Sequence, residues 1–597
     1  MKKYNFTNTF LFEQSWETAN KVGGIYTVIS SKAKYIKEKI KNYFLIGPYF
    51  EDKFKEEVKK VNPPEFLKNV FEMLKEKGII CHYGEWQIES KPNVILIDFK
   101  NYFNNVNEIK KYLWEDFKVD SLNSQYDFNE PIVWSTAVGI LLEEIDKNLK
   151  QFYENPEIIL HAHEWMSGAS FLYLKHKKLN HIKSVFTTHA TILGRSLCQN
   201  NNDIYQEMDK IDPYAKAKEF NILPKYTMEK ACANFCDSFT TVSHLTARET
   251  EKLLLKKPDF ITVNGFNLDD FGTIEESFLK HIDCKNKIND LIKVNFEPYY
   301  NMDYKNNIIF STFGRYEYKN KGLDIFIEAL SKLNQKLKLE KSEKTVTALF
   351  FIPSGTTDVK KELMQNKITY KHFVDTIIRN ETSIIGNLIQ NLLKNPDIKF
   401  SAMINPKLYS EIHKDLNYFK ESNGFPLRCS HNLSYDNDNI IKAFERLNLF
   451  NKESDYVKVL FFPIYLTGND GILNLDCYEA MSGSDLCVFA SYYEPWGYTP
   501  LESVTCGTPA ITTDLSGFGL YMKDKSKLVN KSGLHVLDRY KKSDSQITQS
   551  MFKLFYNFVN LNHEDFVKQR VDAKFLSSFC HWKEFVLNYF DCYDGLF

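Results

Sequence analysis

Two carboxylates lie eight positions apart in Ser491-Tyr-Tyr-Glu494-Pro-Trp-Gly497-Tyr498-Thr499-Pro-Leu-Glu502, directly after the apolar run Leu486–Ala490. Glu494, set between a tyrosine pair and Pro-Trp-Gly, has no evident structural task, and a carboxylate is a good double acceptor for sugar hydroxyls. Thr499 reads as a helix N-cap, Pro500 as the first helical residue and Glu502 as the close of a T-x-x-E capping box, which by itself could account for that glutamate. A strand, a loop relaxed by Gly497 and a helix N-terminus together make a phosphate seat. The second cluster is Gly314-Arg315-Tyr-Glu-Tyr-Lys-Asn320-Lys321-Gly322, after the run Asn307–Phe313. Either cation alone would mean little. As a pair at one sheet edge, Arg315 and Lys321 can neutralise a diphosphate and stabilise the charge that grows on it as a leaving group.

The first half of the chain supplies an opposing wall. Asn20-Lys21-Val-Gly23-Gly24-Ile-Tyr26 puts two glycines at the start of a helix, after the apolar run Phe10–Phe12. It departs from G-x-G-x-x-G, so a nicotinamide enzyme loses ground. His161-Ala-His163-Glu164-Trp165 and Thr187-Thr188-His189-Ala190-Thr191-Ile-Leu-Gly194-Arg195 each follow a strand. His161 is expected to close its strand and His163 to enter the loop, which argues against a metal pair. Asp436-Asn437-Asp438 has the form of a metal-holding D-x-D, but it lies in a polar run with no strand before it and reads as a solvated turn.

These groups need sheets to position them. Candidate strands are Tyr43–Ile46, Val94–Phe99, Glu157–His161, Ser184–Thr188, Ser238–Val242 and Phe260–Val263. A second series follows at Asn307–Phe313, Val346–Ile352, Val457–Phe462, Leu486–Ala490, Pro509–Thr512 and Leu534–Leu537. Continuous apolar strands alternating with helices imply parallel sheets covered on both faces. Two series imply two Rossmann-like, doubly wound α/β domains facing across a cleft, with ligands outside the strands' carboxyl ends. The expected division is 1–270 for the first domain, 271–560 for the second and 561–597 for C-terminal helices that pack back toward the first. The polar stretch Asn264–Lys305 marks the boundary. Apolar residues at three- and four-residue spacing predict a long amphipathic helix or hairpin inserted at about 360–395, ended by Pro396, as a packed element or an oligomerisation arm.

The chain's 597 residues exceed one ordinary domain. Seventy-six basic against 77 acidic residues give a net charge of −1, which excludes a general nucleic-acid binder. Eleven scattered cysteines without a C-x-x-C pair support neither a disulfide framework nor a zinc site. No apolar stretch approaches the ~20 residues of a membrane span, and a cytoplasmic location without membrane contact is expected.

The chain resembles glycogen synthase of the eukaryotic, UDP-glucose-using type, a retaining glycosyltransferase of the GT-B fold. The likeness runs through Glu17–Val28, Leu45–Tyr49, His163–Trp165, Thr187–Thr191, Thr240–Ser243, Val263–Gly265, Gly314–Glu317, Asn320–Gly322, Ser491–Pro500 and Leu515–Gly519. It implies that Glu494 and Glu502 are the family's E-x7-E pair, near the donor glucose and the ribose. Arg315 and Lys321 then bind the diphosphate, His189 stands beside the transferred glucose, and Glu164 and Arg195 belong to the first wall. Gly23 and Gly24 form the loop that closes on donor phosphates, with Gly497, Tyr498 and Thr499 on the other side of the donor. No cofactor or metal is implied, since UDP-glucose is a substrate. A glucan acceptor, a glycogenin-like primer protein and a homo-oligomer, with the tetramer favoured, are the implied partners.

Three departures follow from the same comparison. The family's uracil-stacking tyrosine aligns with Cys477, one position from Tyr478. The arginine-rich helix that binds glucose 6-phosphate aligns with about His563–Phe575, where Lys568, Arg570 and Lys574 are the basic residues and Glu564, Asp565 and Asp572 the acidic ones. Phosphorylated extensions are absent, so neither form of control is expected. The competing readings are an ADP-glucose-dependent synthase or other retaining hexosyltransferase, and a glucan-binding scaffold without catalysis.

Overall fold

The computed structural model describes residues 4–200, 203–394, 404–420 and 424–597. Strands β1 (Thr9–Gln14), β2 (Asn42–Pro48), β3 (Val58–Lys60), β4 (Ile80–Trp86), β5 (Asn93–Asp98), β6 (Glu157–His163), β7 (Lys183–Thr188), β8 (Ser238–Thr241) and β9 (Phe260–Ile261) form one sheet. Its order is β3-β4-β5-β2-β1-β6-β7-β8-β9, parallel except that β4 runs against both neighbours. All six residues of β1 are buried, including Glu13 and Gln14, because helices cover both faces of the sheet. The sequence patterns did not predict β1, β3 or β4. Polar residues interrupt the first and last of these, and β3 is a three-residue edge strand.

The second sheet is wholly parallel. Its strands are β10 (Asn307–Phe313), β11 (Thr345–Phe351), β14 (Val457–Phe462), β15 (Leu486–Val488), β16 (Ala510–Thr513) and β17 (Leu534–Leu537), in the order β14-β11-β10-β15-β16-β17. A separate antiparallel pair, β12 (Thr356–Val359) and β13 (His431–Leu433), frames the insertion. The expected run at 360–395 consists of two helices, Lys361–Arg379 and Glu381–Lys394, divided at Asn380. A third helix, Pro406–Phe419, packs on the first through Tyr370 and Phe419. Asn395 and Pro396 lie outside the described residues. The Asp436–Asp438 segment is a turn whose Asp438 caps the following helix by accepting from Ile440 N and Ile441 N.

The polar stretch Asn264–Lys305 contains a 23-residue helix, Ile274–Phe296, begun by a Thr273–Glu276 capping box. It reads as polar because only one stripe is buried, by which it packs on the helix Cys477–Gly483. The chain closes by returning to the first sheet. The helix Trp582–Asp594 lies against the helix Gly24–Lys39, with Trp582 Nε1 donating to Ser31 Oγ at 2.7 Å. Among the described residues no helix is long and apolar enough to cross a membrane.

Candidate active site

In each sheet the strand order reverses beside a central strand, β1 in the first and β10 in the second, and loops at the carboxyl ends there can converge on a ligand. Gly314–Gly322 follows β10, and Ser491–Gly497 follows β15. The two loops interlock. Gly322 has φ 66°, and a Cβ there would lie 2.0 Å from the Ala490 carbonyl oxygen, so only glycine permits the approach. Tyr492 N donates to Asn320 O at 2.7 Å. Lys321 Nζ forms an ion pair with Glu494 Oε2, which Ser491 Oγ also reaches at 3.4 Å. Arg315 stands apart, its side chain 64% exposed and, among the described residues, ion-paired only with Glu317 at 3.2 Å.

Thr499 is not the N-cap. The helix Tyr498–Thr505 begins one residue after Gly497, whose φ of 102° makes the turn, and Thr499 is its second residue. A Cβ at 497 would meet Ser516 Oγ at 2.7 Å and Glu494 Cγ at 3.0 Å. The capping box is therefore absent, and no side chain caps the first turn. That leaves the helix end with the unpaired N–H groups that suit an anion. Tyr498 turns its hydroxyl to the Gly265 carbonyl at 3.2 Å and ties this helix to the first domain.

Released from capping, Glu502 is half-buried and accepts from Tyr478 OH at 3.3 Å. Burial pushes its carboxyl up to about 7, against Tyr478 and the charge of Lys21 on the opposing domain. Lys21, whose charge opposes that rise, lies two residues before the Gly23–Gly24 pair. Tyr478 itself packs edge-on against Phe271, with ring centroids 5.0 Å apart, while Cys477 opens its helix as a half-buried thiol.

On the first wall, the Glu17 carboxylate accepts from Gly23 N at 2.9 Å and Tyr26 N at 2.8 Å, so it fixes the glycine loop at the helix start. Burial raises the Glu17 carboxyl, opposed by these two N–H groups and by Arg195 and Arg315. Arg315 thus reaches the opposite wall electrostatically. A side chain at Gly24 would touch nothing within 4 Å, so the first turn is open to close approach.

Glu164 adopts φ 64° and ψ 163°, a conformation otherwise almost confined to glycine. Its Oε1 accepts from His189 N at 2.8 Å and Ala190 N at 3.2 Å, which fixes the His189 loop. Burial pushes Glu164 up to about 6, with Arg195 pulling the other way. Arg195 is a solvent-accessible cation whose charge acts on several acids, Glu164 first among them. Glu229, holding Thr188 Oγ1 and Ile192 N, is pushed up to about 8 by burial and by Glu164. Glu249, bonded to Thr191 and to Tyr493 of the second domain, is pushed up to about 7 by burial.

His163 does not leave its strand. β6 runs through His163, so residues two apart share a face, and the rings of His161 and His163 lie 4.3 Å apart. The β1–β6 register sets Glu13 beside His161. Glu13, His161 and His163 could in principle hold a metal ion. The buried Lys32 ammonium, 2.5 Å from Glu13 Oε1, fills that role with the chain's own cation.

The structure therefore brings together Lys321 with Glu494, Glu502 with Tyr478, and Glu164 with His189, and sets Arg315 and Arg195 to act on one carboxylate, Glu17. Sequence reasoning gave no role to Glu13, Glu17, Lys32, Glu229 or Glu249. A glutamate ending the apolar run Phe10-Leu11-Phe12 was the available signal for Glu13.

The glycogen synthase family model matches residues 13–595. The glycogen [starch] synthase of Neurospora crassa is 36% identical over 594 residues, covering 98% of this chain and 83% of the relative. The human liver glycogen [starch] synthase is 34% identical over 576 residues, covering 96% of this chain and 81% of the relative. In fold, the catalytic domain of starch synthase IV from Arabidopsis thaliana, solved with ADP and acarbose, aligns at TM-score 0.50 and 14% identity, covering 98% of this chain and 99% of that one. The expected pair of Rossmann-like domains and this nearly full-length likeness converge: the chain belongs to the glycogen synthase family.

Proposed function

We propose that the donor is UDP-glucose and that glucose passes to the non-reducing end of an α-1,4-glucan with retention of configuration. The observation that carries this reading is the interlock of the Gly314–Gly322 and Ser491–Gly497 loops, which sets Lys321, Glu494 and the uncapped helix Tyr498–Thr505 at one sheet edge. The bond from glucose C1 to the β-phosphate oxygen breaks and leaves UDP. The acceptor hydroxyl oxygen forms the new bond to C1, and its proton passes to the departing phosphate on the same face. Arg315, Lys321 and the helix N-terminus stabilise the growing phosphate charge more in the transition state than in the ground state. Glu494 holds the sugar, Glu502 the ribose, and Glu164 positions the backbone at His189. The Gly23–Gly24 loop closes on the phosphates and excludes water.

Cys477 favours a second reading for the nucleotide alone: without an aromatic ring at that position, ADP-glucose competes as donor. One experiment separates the readings. The protein is incubated with glycogen and UDP- or ADP-glucose, and release of each nucleoside diphosphate is followed. Faster UDP release supports the proposal, faster ADP release replaces the nucleotide, and glycogen binding without release of either supports the scaffold reading.

A further inference from the structure

Behind His189 runs a chain of buried hydrogen bonds. Lys32 Nζ lies 2.5 Å from Glu13 Oε1, and Tyr43 OH donates to Glu13 Oε2. His163 Nε2 lies 2.7 Å from the same Oε1, and His163 Nδ1 lies 2.9 Å from His189 Nε2. Lys32, Glu13 and the His163 side chain have no solvent exposure. Proton counting along such a chain has few solutions.

An ammonium and a phenol both donate, so Glu13 is the acceptor. Burial alone would raise its carboxyl, but Lys32 and the His163 hydrogen bond hold it well below the usual range. His163 Nε2, facing that carboxylate, carries hydrogen. The single charge of Lys32 already balances Glu13, and burial lowers His163, so its ring is neutral and Nδ1 is a bare lone pair. His189 Nε2 must then be the donor. Burial and the Lys32 charge keep His189 neutral as well, so its own Nδ1 is bare. Among the described residues this Nδ1 has no hydrogen-bond partner.

We infer that Glu13, acting through His163, fixes the tautomer of His189 so that His189 Nδ1 can only accept a hydrogen bond, from a hydroxyl of the transferred hexose. His163 and Glu13 are positioning residues, two and three hydrogen bonds from the sugar. The identity of the hydroxyl donor rests on the proposed hexosyl transfer, whereas the tautomer does not. A site built this way rejects a sugar whose group at that position cannot donate, because a buried lone pair is then left unpaired.

The test is ¹⁵N NMR of the full-length protein labelled at histidine, with His189→Asn used to assign the signal. The expected result is a pyridine-type Nδ1 and a pyrrole-type Nε2 at His189. A pyrrole-type Nδ1 in the wild-type protein overturns the inference. The double variant Glu13→Gln with Lys32→Met removes both buried charges together and lets an amide N–H face His163. There the His189 pattern should invert or average, and an unchanged pattern removes Glu13 from the account. If that variant does not fold, the wild-type spectrum still decides the tautomer. Binding of UDP-sugars with each hydroxyl replaced by hydrogen or fluorine supplies the second readout. One position should lose about tenfold or more with either replacement, since fluorine cannot donate. Fluorine tolerated at every position overturns the acceptor role, and failure to bind UDP-glucose itself overturns the proposed donor without touching the tautomer.

Discussion

Lys321 and Glu494 stand on different loops, after β10 and β15, and their side chains form an ion pair while both remain partly accessible, at 16% and 19%. A cation proposed for the diphosphate and a carboxylate proposed for the sugar thus hold each other in place. Their effects on catalysis should be coupled. Lys321→Met and Glu494→Gln should each lower turnover at saturating donor by two orders of magnitude or more. The double variant should lose less than the sum, by the 0.5–3 kcal/mol or so typical of contacting residues. Additive losses in a double-mutant cycle would show that the pair does not act together.

Arg315 offers a cleaner deletion. It is largely exposed and, among the described residues, ion-paired only with Glu317, so Arg315→Ala should change stability by no more than about 0.5 kcal/mol. Loss of one preorganised charge facing the leaving group costs ~2.7–4 kcal/mol of barrier, or roughly a hundred- to a thousandfold in turnover. Unchanged turnover with saturating UDP-glucose would remove Arg315 from the diphosphate site.

What the sequence made legible follows from how each feature is encoded. Runs such as Asn307–Phe313 and Val457–Phe462 are dominated by β-branched, aliphatic and aromatic residues, and their predicted bounds coincide with β10 and β14. β1 escaped because Glu13 and Gln14 end a three-residue apolar core, and only the fold reveals that these polar groups are paired inside. The Thr499 error has a similar origin. T-P-x-E satisfies the local rule for a capping box, yet the turn is made by Gly497, whose neighbours Ser516 and Glu494 leave no room for a side chain. Long-range partners such as Glu249 with Tyr493 leave no local pattern to read.

The shielded acids of the cleft, three of them acted on by the Arg195 charge, predict an unusual pH profile of stability. Glu164, Glu502, Glu249 and Glu229 sit at about 6, 7, 7 and 8 in the folded chain, against about 4.3 when unfolded. Between those values the folded state holds protons that the unfolded state has released. Stability is therefore fullest below about pH 4.3 for these groups and falls as pH rises toward 8. Glu13, shifted downward, acts in a separate window below that range. Glu229→Gln keeps an acceptor for Ile192 N and an amide for Thr188 while abolishing titration. Denaturant melts from pH 5 to 8 should be flatter in this variant by up to about 1.4 kcal/mol per pH unit. An identical slope would mean that Glu229 stays ionised in the folded chain.

The helix His563–Ser577 argues against activation by glucose 6-phosphate. Arg570 is fully buried and donates to the carbonyls of Ser484 at 3.1 Å and Ser482 at 3.3 Å. Lys574 donates to the carbonyls of Thr505, at 2.8 Å, and Phe271. Of the three basic residues only Lys568 is exposed, on a helix whose first turn carries Glu564 and Asp565. With two cations committed to backbone oxygens, little positive charge is left for a phosphate. Activity with and without glucose 6-phosphate should differ by less than about twofold, and a large rise would show that these contacts open to bind it.

The insertion supplies the last prediction. The helix Glu381–Lys394 has no buried residue, yet it carries Ile385, Ile389, Leu392 and Leu393, the last 84% exposed. On the preceding helix, Ile368 and Ile378 are also exposed. An apolar stripe of this length is costly in water, at about 25 cal/mol per Å² left uncovered, and exposed patches of this kind mark interaction surfaces. A homo-oligomer built through these helices, the tetramer being the form expected from the family resemblance, would cover it without disturbing either sheet. Light scattering behind size exclusion should give the mass of a tetramer for the wild-type protein. Ile389→Glu with Leu393→Glu should lower that mass while leaving the thermal transition of each subunit nearly unchanged, because neither side chain is part of a subunit core. A monomeric wild-type protein at micromolar concentration would exclude this use of the stripe.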